Sequence, residues 1–406
     1  MKSLRFLFPA AAAFALLAAA TPAHAQTATA VFDGCVLDAG TVRGTLSLTV
    51  KVVEKAGTTT WTFTGKALLQ NATLSFSHKA VNLPPTGNIE IAAKNGETLK
   101  LSYAPLLVSG TLAGGSVTGT LNVLLYQNAF ANKNNEEAQQ LLGNLRGVYN
   151  VALVDVARFQ GYLTLTVGNL GAVKIAGRLA DGTAVSGSSK LVPIPGGCIV
   201  PFHRPLYTKR GYASGLFIVN TATQDVQNFP AISARWESAD PKKGIFNHTL
   251  DSMGGRFSDG RVGPVIEPGL KFTAYPLGVL PAPAAGLTGK WLDFFPDRIA
   301  LQHAVGKISL PKGTAPKKVD GFFKYTGDNP CVATLLYTAR TGLFKGSFKI
   351  YYATAGDMAT GVTQHRVVSV PYTGVMIKRG GNIFGLGTGT TTLNKEKHSF
   401  AVQLLP

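Results

Sequence analysis

The sequence predicts an all-β protein of antiparallel meanders arranged as two barrel-like or sandwich halves, with one short helix near residues 134–143. Three observations predict it. Apolar and polar residues alternate with a period of two through much of the 406-residue chain. Turn signals rich in glycine, of which there are 46, separate the alternating runs. A single segment carries the start and stop signals of a helix.

Residues 1–25 read as a secretory signal peptide. Lys2 and Arg5 precede an apolar stretch over residues 6–20, and Ala23-His24-Ala25 supplies the small-x-small pattern of a cleavage site. That stretch is shorter than the roughly 20 residues of a spanning helix. No later segment reaches such a length without Gly, Pro or charge. The expected location is outside the cytoplasm: extracellular or at the cell envelope, periplasm and outer membrane included.

The alternation begins with Gly44-Thr-Leu46-Ser-Leu48-Thr-Val50 and returns, after a Lys55-Ala-Gly57 turn, as Thr60-Trp-Thr-Phe63-Thr-Gly65. Leu74-Ser-Phe76, Leu99-Lys-Leu101-Ser-Tyr103 and the run holding Val117, Leu121 and Val123 keep the same rhythm, which places one face in a core and the other in water. The rhythm breaks at residues 132–144. There Asn precedes Glu136 and Glu137, helix formers follow through Leu142, and Gly143 stands where a C-terminal cap belongs. This short helix is expected to cover an open end or edge of a sheet.

A three-stranded meander follows. Its strands are Gly147-Val-Tyr149-Asn-Val151-Ala-Leu153, Gly161-Tyr-Leu163-Thr-Leu165-Thr-Val167 and Ala172-Val-Lys-Ile175-Ala-Gly177-Arg178, with a Gly168–Gly171 turn and then an Asp181-Gly182 hairpin signal. Gly44-x-Leu46-x-Leu48-Thr-Val50 matches Gly161-x-Leu163-x-Leu165-Thr-Val167, and each is followed by a return strand ending in Gly-basic. A looser third copy spans Gly342 to Phe348 and Val368 to Met376. This reads as an internal repeat of one hairpin design. The Pro-rich residues 193–205 mark a boundary, giving an N-terminal β-meander domain over residues 26–195 and a C-terminal β domain over residues 205–406. Within the latter, residues 240–268 read as irregular and residues 276–283 as a punctuated loop.

The blocks GVYNVAL (147–153), GYLTLTVGNLGAVKIAGRLADGTAVS (161–186), PLYTKRG (205–211), TGLFKGSF (341–348) and VPYTGVMI (370–377) occur in that order. Together they resemble a group of secreted, largely uncharacterised β-repeat proteins of planctomycete, verrucomicrobial and related bacteria. The likeness covers roughly residues 140–390. It implies export and attachment to other extracellular modules, and it brings no catalytic residues. Residues 26–130 depart from the pattern.

Charge is lopsided. Without Lys2 and Arg5, 37 of the 39 basic residues remain against 21 acidic ones, a net charge of +16. Such a field favours anionic partners, an acidic glycan or the envelope surface. The basic residues are dispersed, with pairs at Lys242-Lys243 and Lys317-Lys318, and no basic run is interleaved with aromatics, so sequence-specific nucleic-acid binding is not expected. Cys35, Cys198 and Cys331 allow one long-range disulfide whose pairing the sequence leaves open.

The chemistry-bearing residues are scattered. No HxH or HExxH pair provides metal-ligand spacing, and the cysteines show no zinc pattern. His203 and Cys198, followed by Tyr207 and Lys209, lie in one loop, but a Cys–His nucleophile needs the two within hydrogen-bond reach and an orienting third group, for which proximity in sequence is weak evidence. No GxSxG elbow occurs, and the glycines at 380–381 and 385–389 precede no helix pattern. No catalytic residue, metal or cofactor is therefore expected. Among the acids, Glu237, Asp240, Asp251, Asp259, Asp293 and Asp297 are the ones to examine for paired-carboxylate chemistry. Trp236 with Arg235, and Trp291 with Lys290, are the candidate sugar-binding residues, an aromatic face beside a cation. The leading expectation is an exported, non-enzymatic structural or binding module for acidic polysaccharide. An outer-membrane β-barrel is the alternative and a polysaccharide-active enzyme the third reading.

Overall fold

The computed structural model describes residues 26–156, 158–278, 280, 295–304, 307–315, 317–319, 322–324, 327–355, 364–393 and 395–406. The expected signal peptide lies outside them. The fold is all-β and antiparallel, with one short α-helix and three main sheets among the described residues.

The first sheet has eight strands: β1 (Gln26–Asp38), β2 (Thr41–Lys55), β3 (Thr58–Leu69), β4 (Thr73–Val81), β5 (Gly87–Ala92), β6 (Glu97–Tyr103), β7 (Leu107–Gly114) and β8 (Val117–Gln127). They run in the order β4-β3-β2-β1-β8-β7-β6-β5. The two edges meet through a bridge between Phe76 and Ala93, so the sheet curls into a barrel-like unit. The alternation read in the sequence explains its interior. Leu46, Leu48, Val50 and Val52 of β2 face Trp61 and Phe63 of β3 and Leu99 and Leu101 of β6 in one buried cluster. Trp61, Phe63 and Tyr103 pack ring on ring, with centroids 5.9–6.3 Å apart.

The second sheet has ten strands: β9 (Gly147–Asp155), β10 (Arg158–Val167), β11 (Ala172–Leu179), β12 (Ala184–Lys190), β13 (Val192–Ile194), β14 (Gly197–Leu206), β15 (Gly211–Asn220), β16 (Asp225–Asn228), β17 (Ala234–Asp240) and β18 (Gly244–Ser258). Its path is β12-β11-β10-β9-β18-β16-β15-β14-β13, and β17 pairs with β15 and β18. The Ser189 hydroxyl of β12 donates to the Pro201 carbonyl of β14, so the ends of the path fold towards each other. The helix α1 (Glu136–Leu145) closes one end. Asn135 caps its start by accepting from the Ala138 amide at 3.0 Å. Ala138, Leu142 and Leu145 enter the sheet's core with Phe130, and the Tyr149 hydroxyl donates to the Leu145 carbonyl at 2.9 Å. The helix runs past Gly143, the expected stop, because Leu145 must still reach that core.

Two readings change here. Residues 193–205 are no linker: β13 and β14 pair directly, and both belong to the second sheet, which spans the expected boundary. Pro193 sits on the edge strand, and Pro201 and Pro205 lie on β14 beyond the three residues that β13 pairs, where a missing N–H goes unneeded. The stretch 240–268, read as irregular, contains the 15-residue β18, which pairs with β9, β16 and β17. Its pattern is masked by Gly254, where an added Cβ would lie 2.1 Å from the Asn150 carbonyl of β9.

The third sheet contains β19 (Lys271–Pro276), β20 (Ile299–Ala300), β25 (Leu336–Thr338), β26 (Leu343–Ala355), β27 (Gln364–Arg379), β28 (Asn382–Leu393) and β29 (Glu396–Leu405). Their order is β20-β19-β29-β28-β27-β26-β25. The short hairpins β21 (Gln302–Ala304) with β22 (Lys307–Ser309) and β23 (Lys317–Val319) with β24 (Phe322–Lys324) stand apart from it. The first and third sheets are barrel-like or half-barrel units, and the second sits between them. Cys35, Val42, Val192, Ile199, Leu216 and Ile232 seal the first to the second. Ala152, Phe159, Tyr162, Val375 and Ile377 seal the second to the third. All copies of the Gly-x-Leu motif lie in antiparallel hairpins, but in different registers: Gly65 pairs with Leu48, whereas Gly177 pairs with Leu163, the counterpart of Leu46.

Candidate binding site

The end of the second sheet opposite α1 is formed by four turns: β9–β10, β11–β12, β14–β15 and β17–β18. Alternation on β17 and β18 sends Trp236, Phe246 and His248 towards this mouth. Trp236 packs edge-on against Phe246 at 4.7 Å between centroids and lies 5.4 Å from the His248 ring. Phe246 in turn stands 5.1 Å from His248 and 6.5 Å from Tyr207. Trp236 is only 3% exposed, while Tyr207, Phe246 and His248 are half-buried and form the part of the cluster that meets solvent.

Hydrogen bonds fix the Trp236, Tyr207 and His248 rings. The Trp236 indole N–H donates to the Tyr207 hydroxyl at 2.9 Å, which donates to Asp181 Oδ2 at 2.9 Å. Thr183 completes the Asp181 carboxylate with its backbone N–H at 2.7 Å and its hydroxyl at 2.6 Å. Burial, and then the Asp181 charge, push the Tyr207 phenol well above its ordinary range, so it remains a neutral donor. On the other side, Asp155 Oδ2 sits 2.9 Å from His248 Nδ1. Lys397 reaches over from β29 to the Asp181 carbonyl.

The loop that carries Tyr207 is strained. Tyr207, Thr208 and Lys209 have φ of 51°, 53° and 69°, three consecutive non-glycine residues in the left-handed region. Neighbours hold it there. Arg210 N–H donates to the Tyr207 carbonyl at 3.0 Å, Ala239 N–H to the Arg210 carbonyl at 2.6 Å, and Gln70 Nε2 of the first sheet to the Lys209 carbonyl at 2.9 Å.

Charge around the mouth is asymmetric. Asp155 and Asp181 are occupied as described, and Asp240 accepts from the Lys242 amide at 3.0 Å. Lys209, Arg210, Lys242 and Lys243 on the same loops are exposed, and none makes an ion pair among the described residues. Aromatic rings are thus rimmed by cations that make no ion pair among the described residues.

The sequence-predicted residues fall differently. Trp236 is a buried anchor and not a platform, because the β17 alternation turns it inward. Arg235, its neighbour, points to the opposite face and donates to Asn247 Oδ1 at 3.3 Å. Lys290, Trp291 and Asp293 lie outside the described residues. Glu237 is engaged at the seam between the first two sheets, accepting from the Tyr212 hydroxyl at 2.9 Å, while Arg43 donates to that hydroxyl at 2.7 Å. Asp259 caps a turn through the Arg261 and Val262 amides at 2.7 and 2.9 Å.

The cysteines are held apart. Cys35 and Cys198 are free thiols, and the expected disulfide does not join them, because Cys198 faces the second core while its neighbour Ile199 faces Cys35. Cys331 is buried in the third core. Of the residues that build the mouth, the sequence does not single out Tyr207, Phe246, His248, Asp155 and Asp181 as a group. The Phe246-x-His248-x-Leu250 alternation was the available signal.

Fold and site define an all-β protein whose central sheet ends in an aromatic, cation-rimmed mouth. Compared with known proteins, the chain matches no protein-family model and no curated protein.

Proposed function

We propose that this protein is exported and works outside the cytoplasm or at the cell envelope as a non-enzymatic binding module for acidic polysaccharide, taking sugar rings at the mouth of the second sheet. The observation that carries this reading is the pairing of half-buried rings with exposed Lys209, Arg210, Lys242 and Lys243 where the local carboxylates are already occupied. A sugar presents an apolar C–H face to an aromatic ring, and its acidic substituents meet the cations. The resemblance to secreted β-repeat proteins and the signal-like residues 1–25 support export.

A membrane barrel carries an apolar exterior and a polar lumen. Here the cores are apolar, and the outward residues of β2–β4 are mostly Ser, Thr and Lys, which favours the module over the barrel. Of the carboxylates considered for glycosidase chemistry, Glu237 is tied into a seam and Asp240 and Asp259 into turns, which favours binding over turnover.

Heparin chromatography tests the proposal. The wild type should elute at high salt, and the Lys242→Gln/Lys243→Gln variant at lower salt. Phe246→Ala should weaken binding of a heparin-derived tetrasaccharide by about fivefold, the loss of a stacking contact of about 1 kcal/mol. Elution of the wild type like a neutral protein would end this reading.

A further inference from the structure

We propose that the outward face of β2, β3 and β4 is the extended part of the same track, carrying an anionic polysaccharide across the first sheet to the mouth. The strand register sets this face in rows. Lys51 and Lys79 flank Thr62 in one row; Thr49, Thr64 and Ser77 form the next; Ser47 and Ser75 flank Lys66 in the third. Neighbouring strands lie about 4.8 Å apart and alternate residues about 6.8 Å apart. Lys51 and Lys79 are therefore roughly 10 Å apart, and Lys66 stands about 14 Å from each, with hydroxyls between them.

The three lysines are exposed and make no ion pair among the described residues. β1 extends these rows with Thr29, Val31 and Asp33. Asp33 is the one carboxylate in them; it is 4% exposed and accepts from Asn128 Nδ2 at 2.7 Å. The face thus offers spaced positive charge and hydroxyl donors and acceptors, with no competing exposed acid. Trp61 and Phe63 of β3 point into the core, so no ring on this face could stack on a nucleic-acid base. A glycan bearing sulfate or carboxylate groups fits; a nucleic acid lacks its stacking contacts.

Continuity makes this one track. From Lys66 and Ser75, β3 and β4 run on to the turn at Gln70 and Asn71. Gln70 Nε2 donates to the Lys209 carbonyl at 2.9 Å, and Lys209 Nζ to the Asn71 carbonyl at 3.4 Å. The turn therefore abuts the Tyr207 loop, and the cations proceed from Lys51 and Lys79 through Lys66 to Lys209 and the mouth. The direction of the track rests on the mouth reading; the charge of the face does not.

Chain length separates the two. Binding of full-length heparin, a heparin tetrasaccharide and neutral dextran would be measured for the wild type, for Lys51→Gln/Lys66→Gln/Lys79→Gln, and for Lys242→Gln/Lys243→Gln. The face variant should lose about tenfold in affinity for full-length heparin and lower its log–log salt slope by roughly one unit per lysine. It should hold the tetrasaccharide as the wild type does, whereas the mouth variant weakens both. A Thr49→Val/Thr64→Val variant, unchanged in charge, should also weaken full-length heparin; unchanged affinity there would reduce the face to a diffuse field and overturn the proposal. Full-length heparin held equally by the face variant and the wild type would overturn it too, whatever the mouth variant does. Loss confined to the face variant would support the face and reject the mouth.

Discussion

Acidification should weaken the seam between the first and second sheets through a single imidazole. His203 of β14 packs against Tyr212 at 5.4 Å between ring centroids, and the Arg43 guanidinium of β2 lies over the Tyr212 ring at 5.4 Å from its centroid. Burial, and then the Arg43 charge, lower the His203 pKa from 6.5 to about 4. A histidine with a depressed folded-state pKa is neutral in the native state while the unfolded chain already takes up its proton. Stability is therefore fully present above about pH 6.5 and falls as pH drops towards 4, where the native form also protonates. A gap of that size is worth on the order of 3 kcal/mol at pH 4, at about 1.36 kcal/mol per unit. Urea unfolding of the wild type and of His203→Phe, at pH 7 and pH 4, isolates this contribution, because every other titrating group cancels in the difference between the proteins. The wild type should lose about 3 kcal/mol more than the variant over that interval. Equal losses would refute the assignment.

Three further outcomes follow from the packing. Asn150, fully buried, donates from Nδ2 to the Thr341 and Met376 carbonyls at 2.9 and 2.8 Å and joins the second sheet to the third; Asn150→Leu should cost about 3 kcal/mol in urea unfolding, since it strands two carbonyls without donors. Gly254→Ala should lower stability by a similar amount, about 3 kcal/mol, because its Cβ would overlap the Asn150 carbonyl of the neighbouring strand; a thermal midpoint equal to the wild type would contradict that strand spacing. Burial raises the thiols of Cys35 and Cys198 to about 12, so an aromatic disulfide reagent at pH 8 should label neither in the folded protein and both after denaturation.

The strands most legible in the sequence are those with one wet face. In β2 and β3 the Leu and Val positions alternate with Thr, Ser and Lys, and the structure buries that alternating set. The helix start was legible for a local reason, an Asn able to cap its own third amide. Strands with both faces covered were harder. β9 is buried at seven consecutive residues because the second core lies on one side and the third sheet on the other. β18 hides its period behind Gly254 and Gly255, whose neighbours approach too closely for side chains. The proline-rich residues 193–205 mislead for a different reason: proline resembles punctuation, although at an edge it leaves a strand intact. The mouth was the least legible part. Its residues come from positions 155, 181, 207, 236, 246 and 248; pairing of β17 with β15 and β18, and of β18 with β9, gathers most of them, and closure of the second sheet brings in Asp181.

That closure also explains why a strained loop is maintained at the mouth. Three successive left-handed residues are unfavourable by about 1–3 kcal/mol each, so the Tyr207–Lys209 conformation must be imposed from outside. The imposing contacts come from both sheets: Trp236 and Asp181 hold the phenol from within the second, and Gln70 holds the Lys209 carbonyl from the first. Neither sheet alone supplies the full set. The loop therefore reports on the seam, and the geometry of the mouth is set by contacts within the protein itself. The strain resides where the first sheet's hydroxyl-and-lysine face meets the aromatic mouth. A loop free to relax there would lose its ring geometry first, while the apolar cores on either side stayed intact.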